Sequence, residues 1–270
     1  MKWVKLWGPV TDVVLGYDQI ESATVEYAVE ASTGDIFRYT GIPLSWEKIG
    51  GPGKSFVIAG GGLYGISPGG SAVYEYTKAS GQWQWKKVGG PAQEIYGIDS
   101  YVSKALFATN PKTGDIYNYD SSSEKWTKIG GPGQMFATGY EHLYGLSPDG
   151  SAVYKYTGTP GKWVKVGGSA AKIYAGGDAL FATNPQTGDI YSFDDKSSKW
   201  TKVGGPGKMF AVDVNGQLYG LSPDGKSVHK YTGIPGKWAQ IGGPAGNIYV
   251  GGKRICATNP ISQDLWCLMP

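Results

Sequence analysis

The sequence has few of the residues that usually carry reaction chemistry. In 270 residues there are two histidines, two cysteines and four methionines. The histidines, His142 and His229, fall far apart, and His229 stands where related segments place Tyr74 and Tyr154, so packing accounts for it. A zinc site needs several converging His, Cys or carboxylate ligands, and a Ser/His/Asp relay needs a nucleophile held against a histidine. Neither pattern is present, and neither is a calcium loop or a glycine-rich turn running into a helix N-terminus that would cradle phosphate. No metal, no cofactor and no catalytic residue are expected.

Charge of one sign is also scarce. Lys and Arg number 25 against 22 Asp and Glu, interspersed, for a net charge of +3. Without a basic stripe or an acidic tail, no nucleic-acid partner is implied. No apolar run approaches the roughly 18 residues of a membrane span, so membrane insertion is not expected. The opening MKWVKLWGP enters the dominant pattern of the chain directly, which leaves no room for a cleaved leader, and the reading is a cytoplasmic protein. Cys256 and Cys267 should sit on neighbouring strands of the last hairpin. A four-residue loop would place them opposite each other and a five-residue loop on opposite faces. Nothing else points to an oxidising compartment, so a disulfide depends on register.

What is abundant is glycine (44), proline (16), tyrosine (19) and tryptophan (10). The tryptophans mark a repeat. KWTKVGG at 199–205 has near-copies throughout, with equivalent residues at Trp3, Trp46, Trp85, Trp126, Trp163, Trp200 and Trp238, spaced by 43, 39, 41, 37, 37 and 38 residues. Such a period belongs to solenoids and propellers. Each repeat holds four short runs rich in Val, Ile, Tyr, Phe and Trp, bounded by Gly, Pro, Asn and Asp, the signature of strands rather than helices. Four strands per repeat make a propeller blade. Seven repeats thus predict an all-β fold over residues 1–270, a single domain forming a seven-bladed β-propeller of four-stranded antiparallel blades.

The repeats alternate. One form has a Ser-Pro turn at 67–71, 147–151 and 222–225; the other has an Asn-Pro turn at 110–115, 184–189 and 259–264, with a divergent EASTGD at 30–35. Because seven is odd, two blades of the Asn type must meet where the ring closes. Each Trp strand follows an Ile-Tyr-x-Tyr strand through a short polar turn and should be the outermost strand of that blade. The chain starts with an unattached Trp strand and ends with three strands that lack one, so the N-terminal strand should complete the last blade and hide its edge.

Candidate site residues recur with the repeat. Six glycine pairs end the Trp strands, and their second members are Gly51, Gly90, Gly131, Gly168, Gly205 and Gly243. Missing side chains there let a ligand approach the backbone. Asn110, Asp115, Asn184, Asp189, Asn259 and Asp264 offer planar donors and acceptors on the same rim, a combination that suits neutral sugar hydroxyls, although glycine pairs and Asn-Pro steps also serve turns. Trp46, Trp85, Trp126, Trp163, Trp200 and Trp238 either fill the blade interfaces or stack on sugar faces. Tyr64, Tyr144 and Tyr219, each followed by glycine, line a groove or the core.

Repeats of the form W-x-x-(I/V)-G-G, then (L/V)-Y-G-(L/I)-S-P or L-F-A-T-N-P, then (I/V)-Y-x-Y resemble the tectonin repeat over almost the whole chain. The resemblance implies a β-propeller lectin with ligand grooves between neighbouring blades and no metal requirement. The composition is most similar to the mushroom members, which bind O-methylated sugars on bacterial and nematode glycans and act in defence; methylated mannose or fucose are therefore the expected glycans. Two features depart from that pattern. Seven repeats stand against six blades in the mushroom relative, which leaves the question of a homo-oligomer open, and the first repeat has Trp7-Gly8-Pro9 and Glu30-Ala31 in place of Gly-Gly-Pro and Asn-Pro. Six glycine pairs set six as the largest expected number of working grooves. A protein-interaction scaffold and a propeller hydrolase are the rival readings.

Overall fold

The computed structural model describes residues 2–18, 23–42, 44–99, 104–252 and 254–269. It forms seven four-stranded antiparallel sheets in a ring: blade 1 (residues 10–52), blade 2 (55–89), blade 3 (95–132), blade 4 (135–167), blade 5 (172–204), blade 6 (209–242) and blade 7 (248–269). Blade 7 takes its outer strand, Lys2–Trp7, from the N-terminus, paired from Lys2 opposite Met269 to Trp7 opposite Leu265. The Trp strand is the outer edge of every blade, and the two Asn-type blades, 7 and 1, meet at the closure. Among the described residues no helix is long and apolar enough to cross a membrane.

The core lies between the blades. Seven buried clusters each join two neighbours; in one, Phe107, Ile116 and Ile129 of blade 3 pack on Phe136 and Leu143 of blade 4. The W-x-x-(I/V)-G-G motif encodes these joints. In blade 3, Ile116 lies opposite Gly130 while Tyr117 lies opposite Lys128, so Ile129 is the extra residue of a β-bulge. Its carbonyl, released from the ladder, accepts the Nε1–H of Trp163 from blade 4 at 2.9 Å. The same bulge and bond recur in all seven blades, as with Val88 and Trp126 at 2.8 Å, and Leu6 and Trp46 at 3.0 Å. The first glycine of each pair is required by this joint: a Cβ on Gly130 would stand 2.8 Å from the indole nitrogen of Trp163.

Two features tie the closing blades. Cys256 lies directly opposite Cys267 and the two form a disulfide that is fully buried. The Asn259 N–H donates to the Asp264 carbonyl at 2.8 Å, leaving residues 260–263 as a four-residue loop, which is the register that permits the bridge. The cytoplasmic expectation gave no reason for a bridge; strand pairing decides it. Replacing both cysteines with alanine should cost about 2–3 kcal/mol for a loop this short, read as a lower midpoint in urea unfolding under non-reducing conditions. In addition, the carboxylate of Glu26 in blade 1, 2% exposed, pairs with the Arg254 guanidinium of blade 7.

Candidate functional site

Up-and-down strands put the Asn-Pro and Ser-Pro turns and the crossings between blades on one rim. Three equivalent grooves open there, at every junction where a Ser-type blade is followed by an Asn-type blade. The groove between blades 2 and 3 has a volume of about 280 Å³ and is lined by Gly90, Asn110, Tyr117 and Trp126. That between blades 4 and 5, about 310 Å³, presents Gly168, Asn184, Tyr191 and Trp200. That between blades 6 and 7, about 240 Å³, presents Gly243, Asn259, Trp266 and Trp3. Buried valines, Val73, Val153 and Val228, complete the apolar walls.

The difference between the two kinds of junction is local. After a Ser-type blade the chain turns inward at once, and the N–H groups of Ala92, Ala170 and Ala245 donate to the carbonyls of Gly70, Gly150 and Gly225 at 3.1, 3.0 and 2.9 Å. This stitches the crossing to the Ser-Pro turn and leaves the indole edge open above it. After an Asn-type blade the edge runs on, and Pro52, Pro132 and Pro206 settle against Gly34, Gly114 and Gly188. There Trp85, Trp163 and Trp238 lie beside Phe56, Phe136 and Phe210 of their own blades, with ring centres 6.0–6.2 Å apart. Gly51, Gly131 and Gly205 belong to these crossings. At the ring closure Trp7 replaces the first glycine, stacks on Trp46 with centres 5.1 Å apart, and meets Phe37 at a tilt, with centres 4.7 Å apart.

The second glycines of the grooves have a freedom that the fold does not need. A Cβ at Gly90, Gly168 or Gly243 would meet nothing within 4 Å, and none of the three is in the left-handed region; Gly131 and Gly205 at the other crossings share this freedom, and Gly51 meets only Asp35 at 3.9 Å. The first glycine is demanded by the indole; the second is demanded by nothing in the chain.

The asparagines are half committed. Asn110 Oδ1 accepts the N–H groups of Lys112 and Thr113 at 2.8 and 3.2 Å, and Asn184 and Asn259 repeat the pattern with the residues two and three ahead. Their acceptors hold the turn, and their Nδ2 groups take no part in it. The aspartates point elsewhere: Asp115, Asp189 and Asp264 pair with Lys128, Lys202 and Lys5 at 2.7, 2.7 and 2.8 Å, outside the grooves. These lysine contacts hold each carboxyl below the usual carboxylate range. Tyr64 and Tyr144 are buried on the second strands of their blades, and Tyr219 is half-buried with its hydroxyl 3.5 Å from Asp213.

Four groove residues escaped the sequence reading: Trp3, Tyr117, Tyr191 and Trp266. The last three share one slot, the residue after the buried Ile, Val or Leu of the third strand, which is aromatic in all seven repeats as Phe37, Tyr74, Tyr117, Tyr154, Tyr191, His229 and Trp266. That recurrence was the available signal.

A closed ring of seven tandem blades with matching grooves at alternate junctions defines a repeat-built β-propeller with several equivalent clefts. The Tectonin domain model matches residues 16–197, about two thirds of the chain, and the chain belongs to the tectonin family. Among curated proteins no match is found. Solved structures share the architecture. The extracellular domain of a one-component system from B. thetaiotaomicron aligns at TM-score 0.67 and 11% identity over 100% of this chain and 40% of that one, so the chain spans well under half of its length. Virginiamycin B lyase from Staphylococcus aureus aligns at TM-score 0.69 and 13% identity, over 98% and 97% of the two chains. An oligogalacturonate lyase in complex with manganese aligns at 0.67 and 13%, over 99% and 93%. At such identities the likeness is one of fold.

Proposed function

We propose that the ring is a multivalent carbohydrate-binding protein without catalytic activity, and that its sites are the three grooves. The observation that carries this reading is a groove built the same way at three junctions, each around a second glycine, Gly90, Gly168 or Gly243, whose side-chain place is clear of other atoms. Beside it each groove offers an indole, a further aromatic ring, apolar Val and Ala walls, and an Asn amide donor. A sugar ring presents an apolar face to the indole and hydroxyls to the backbone and amide. The apolar wall gives an O-methyl group a place that a free hydroxyl would leave poorly solvated, which favours O-methylated mannose or fucose and fits a role in defence against organisms that carry such glycans. Three weak sites on one body gain by avidity on a repeated target.

Gly90→Val, Gly168→Val and Gly243→Val together should leave the melting temperature within about 2 °C of the parent, because each new side chain meets open space. The same variant should lose at least about tenfold in binding to a glycan surface, since three contacts are lost together. A glycan array with methylated and unmethylated members tests the class directly. Silence across all of them, or undiminished binding by the triple variant, would overturn the proposal.

A further inference from the structure

The opposite rim carries a recess of another kind, between blades 2 and 3. The turn Gly60–Gly61–Gly62, Tyr64 and Glu75 of blade 2, and Tyr119 and Ser121 of blade 3 line a space of about 160 Å³ that runs over the rim of blade 2 to Tyr76 and Trp83 on its other face and to Tyr27 of blade 1. The volume is below the roughly 300–1,000 Å³ of drug-sized pockets, and it suits a compact head group. The hairpin that carries Trp83 is longer than its sisters, continuing through Thr77 opposite Gln84 to Ala79 opposite Gln82. This extension lays Trp83 on Tyr76, with ring centres 4.9 Å apart and planes 12° from parallel.

The equivalent place between blades 4 and 5 shows what the recess is shaped for. There Lys155 occupies the position of Glu75, Asp195 that of Ser121, His142 that of Gly62 and Tyr144 that of Tyr64. The Lys155 ammonium sits 6.0 Å from the centre of the Tyr144 ring and pairs with Asp195 at 2.8 Å, while the His142 ring stands 6.0 Å from the same tyrosine. One junction of the ring therefore already holds an ammonium group over this tyrosine, supplied by its own chain. Between blades 2 and 3 the lysine, the histidine and the aspartate are all gone, and the lysine is replaced by a residue of opposite charge.

The carboxylate left behind faces a different set of partners. Glu75 Oε1 accepts the Tyr64 hydroxyl at 3.0 Å. Lys86, directly across on the outer strand, is engaged by Glu124 at 2.6 Å. Lys78 lines the recess but is exposed, and the Arg38 guanidinium lies 6.0 Å over the Trp83 ring. Among the described residues no salt bridge reaches Glu75. Tyrosine rings attract a cation through their negative faces, more strongly once it is desolvated, and a nearby carboxylate adds charge to that attraction. A neutral ligand gains neither.

We propose that this recess binds a small organic ammonium, primary or methylated, with Glu75 as its counter-charge and Tyr64 and Tyr119 beside it. The site is separate from the rim grooves and does not depend on what they bind. Isothermal titration of the intact chain with choline chloride, tetramethylammonium chloride and butylammonium chloride should show saturable binding at one site per chain. 3,3-Dimethyl-1-butanol, the neutral isostere of choline, should bind at least about tenfold more weakly. The variant Gly62→His, Glu75→Lys, Ser121→Asp installs the residues of blades 4 and 5, and should keep the melting temperature while abolishing the binding. Glu75→Gln, which preserves shape, should weaken it about tenfold. No saturable heat with any of the three cations, equal binding of the neutral isostere, or full binding by Glu75→Gln would overturn the assignment.

Discussion

Deleting residues 1–8 lowers the melting temperature by at least about 10 °C in calorimetry, taking about 2–4 °C per kcal/mol for a chain of this size. The strand Lys2–Trp7 serves two junctions at once. Its Leu6 is fully buried against Val13, Leu15 and Leu265, and the Leu6 carbonyl holds the Trp46 indole of blade 1. Its Trp3 donates from Nε1 to the Ile241 carbonyl of blade 6 at 2.7 Å and packs among Leu221, Ile248 and Ile255. Losing a buried leucine alone costs about 2–5 kcal/mol, and the deletion also removes a tryptophan and uncovers a sheet edge. A synthetic peptide of residues 1–8 added in excess should restore part of the loss by mass action. An unchanged melting temperature would mean that the ring does not close through this strand.

The second large effect is expected at the same seam. Arg254→Met should destabilise the fold by about 3–5 kcal/mol, because it strands a buried carboxylate. Burial already pushes the Glu26 carboxyl up to about 7, against the opposing pull of Arg254. The folded value lies above the ordinary 4.5, so the contribution of this group to stability is full below about 4.5 and is lost as the pH rises through about 7. Without Arg254 the carboxyl moves further up, and the loss extends to higher pH. Urea unfolding of Arg254→Met at pH 5 and pH 8 should therefore differ more than in the parent, and Glu26→Gln with Arg254→Met should flatten the difference. An Arg254→Met variant as stable as the parent at pH 8 would show that the pair carries no weight.

Much of this architecture could be read from the residues because each repeat repeats its reasons. A tryptophan three residues before Ile or Val and a glycine pair encodes strand, bulge and joint together, and a chain that begins with such a strand and ends without one implies its own closure. The grooves were less legible. Six glycine pairs look alike in sequence, yet the crossings after them run differently with the turn of their own blade: Pro132 lies over Gly114 in one, and Ala92 is bonded to Gly70 in another. Trp3 was passed over because its own repeat lacks the glycine pair, although closure hands it Gly242 and Gly243 of blade 6. The glycine after Tyr64 signalled contact with Phe56, not a groove, since a Cβ on Gly65 would stand 2.7 Å from that ring. The disulfide turned on one count of loop residues, which only paired strands reveal.

The grooves share a face, and this decides what a single ring can do to a particle. If the three grooves bind as proposed, contacts on one side fasten the ring flat to a surface and leave the other side bare of them. Such a ring alone would coat and not clump. Clumping two particles takes two rings joined back to back or edge to edge, so light scattering with sugar-coated beads, set beside the sedimentation mass, reports assembly as much as recognition. The spacing has a direction as well: going round the ring, the grooves are separated by two blades, two blades and three. A threefold-symmetric array of sugars can therefore satisfy two of them in register and never all three.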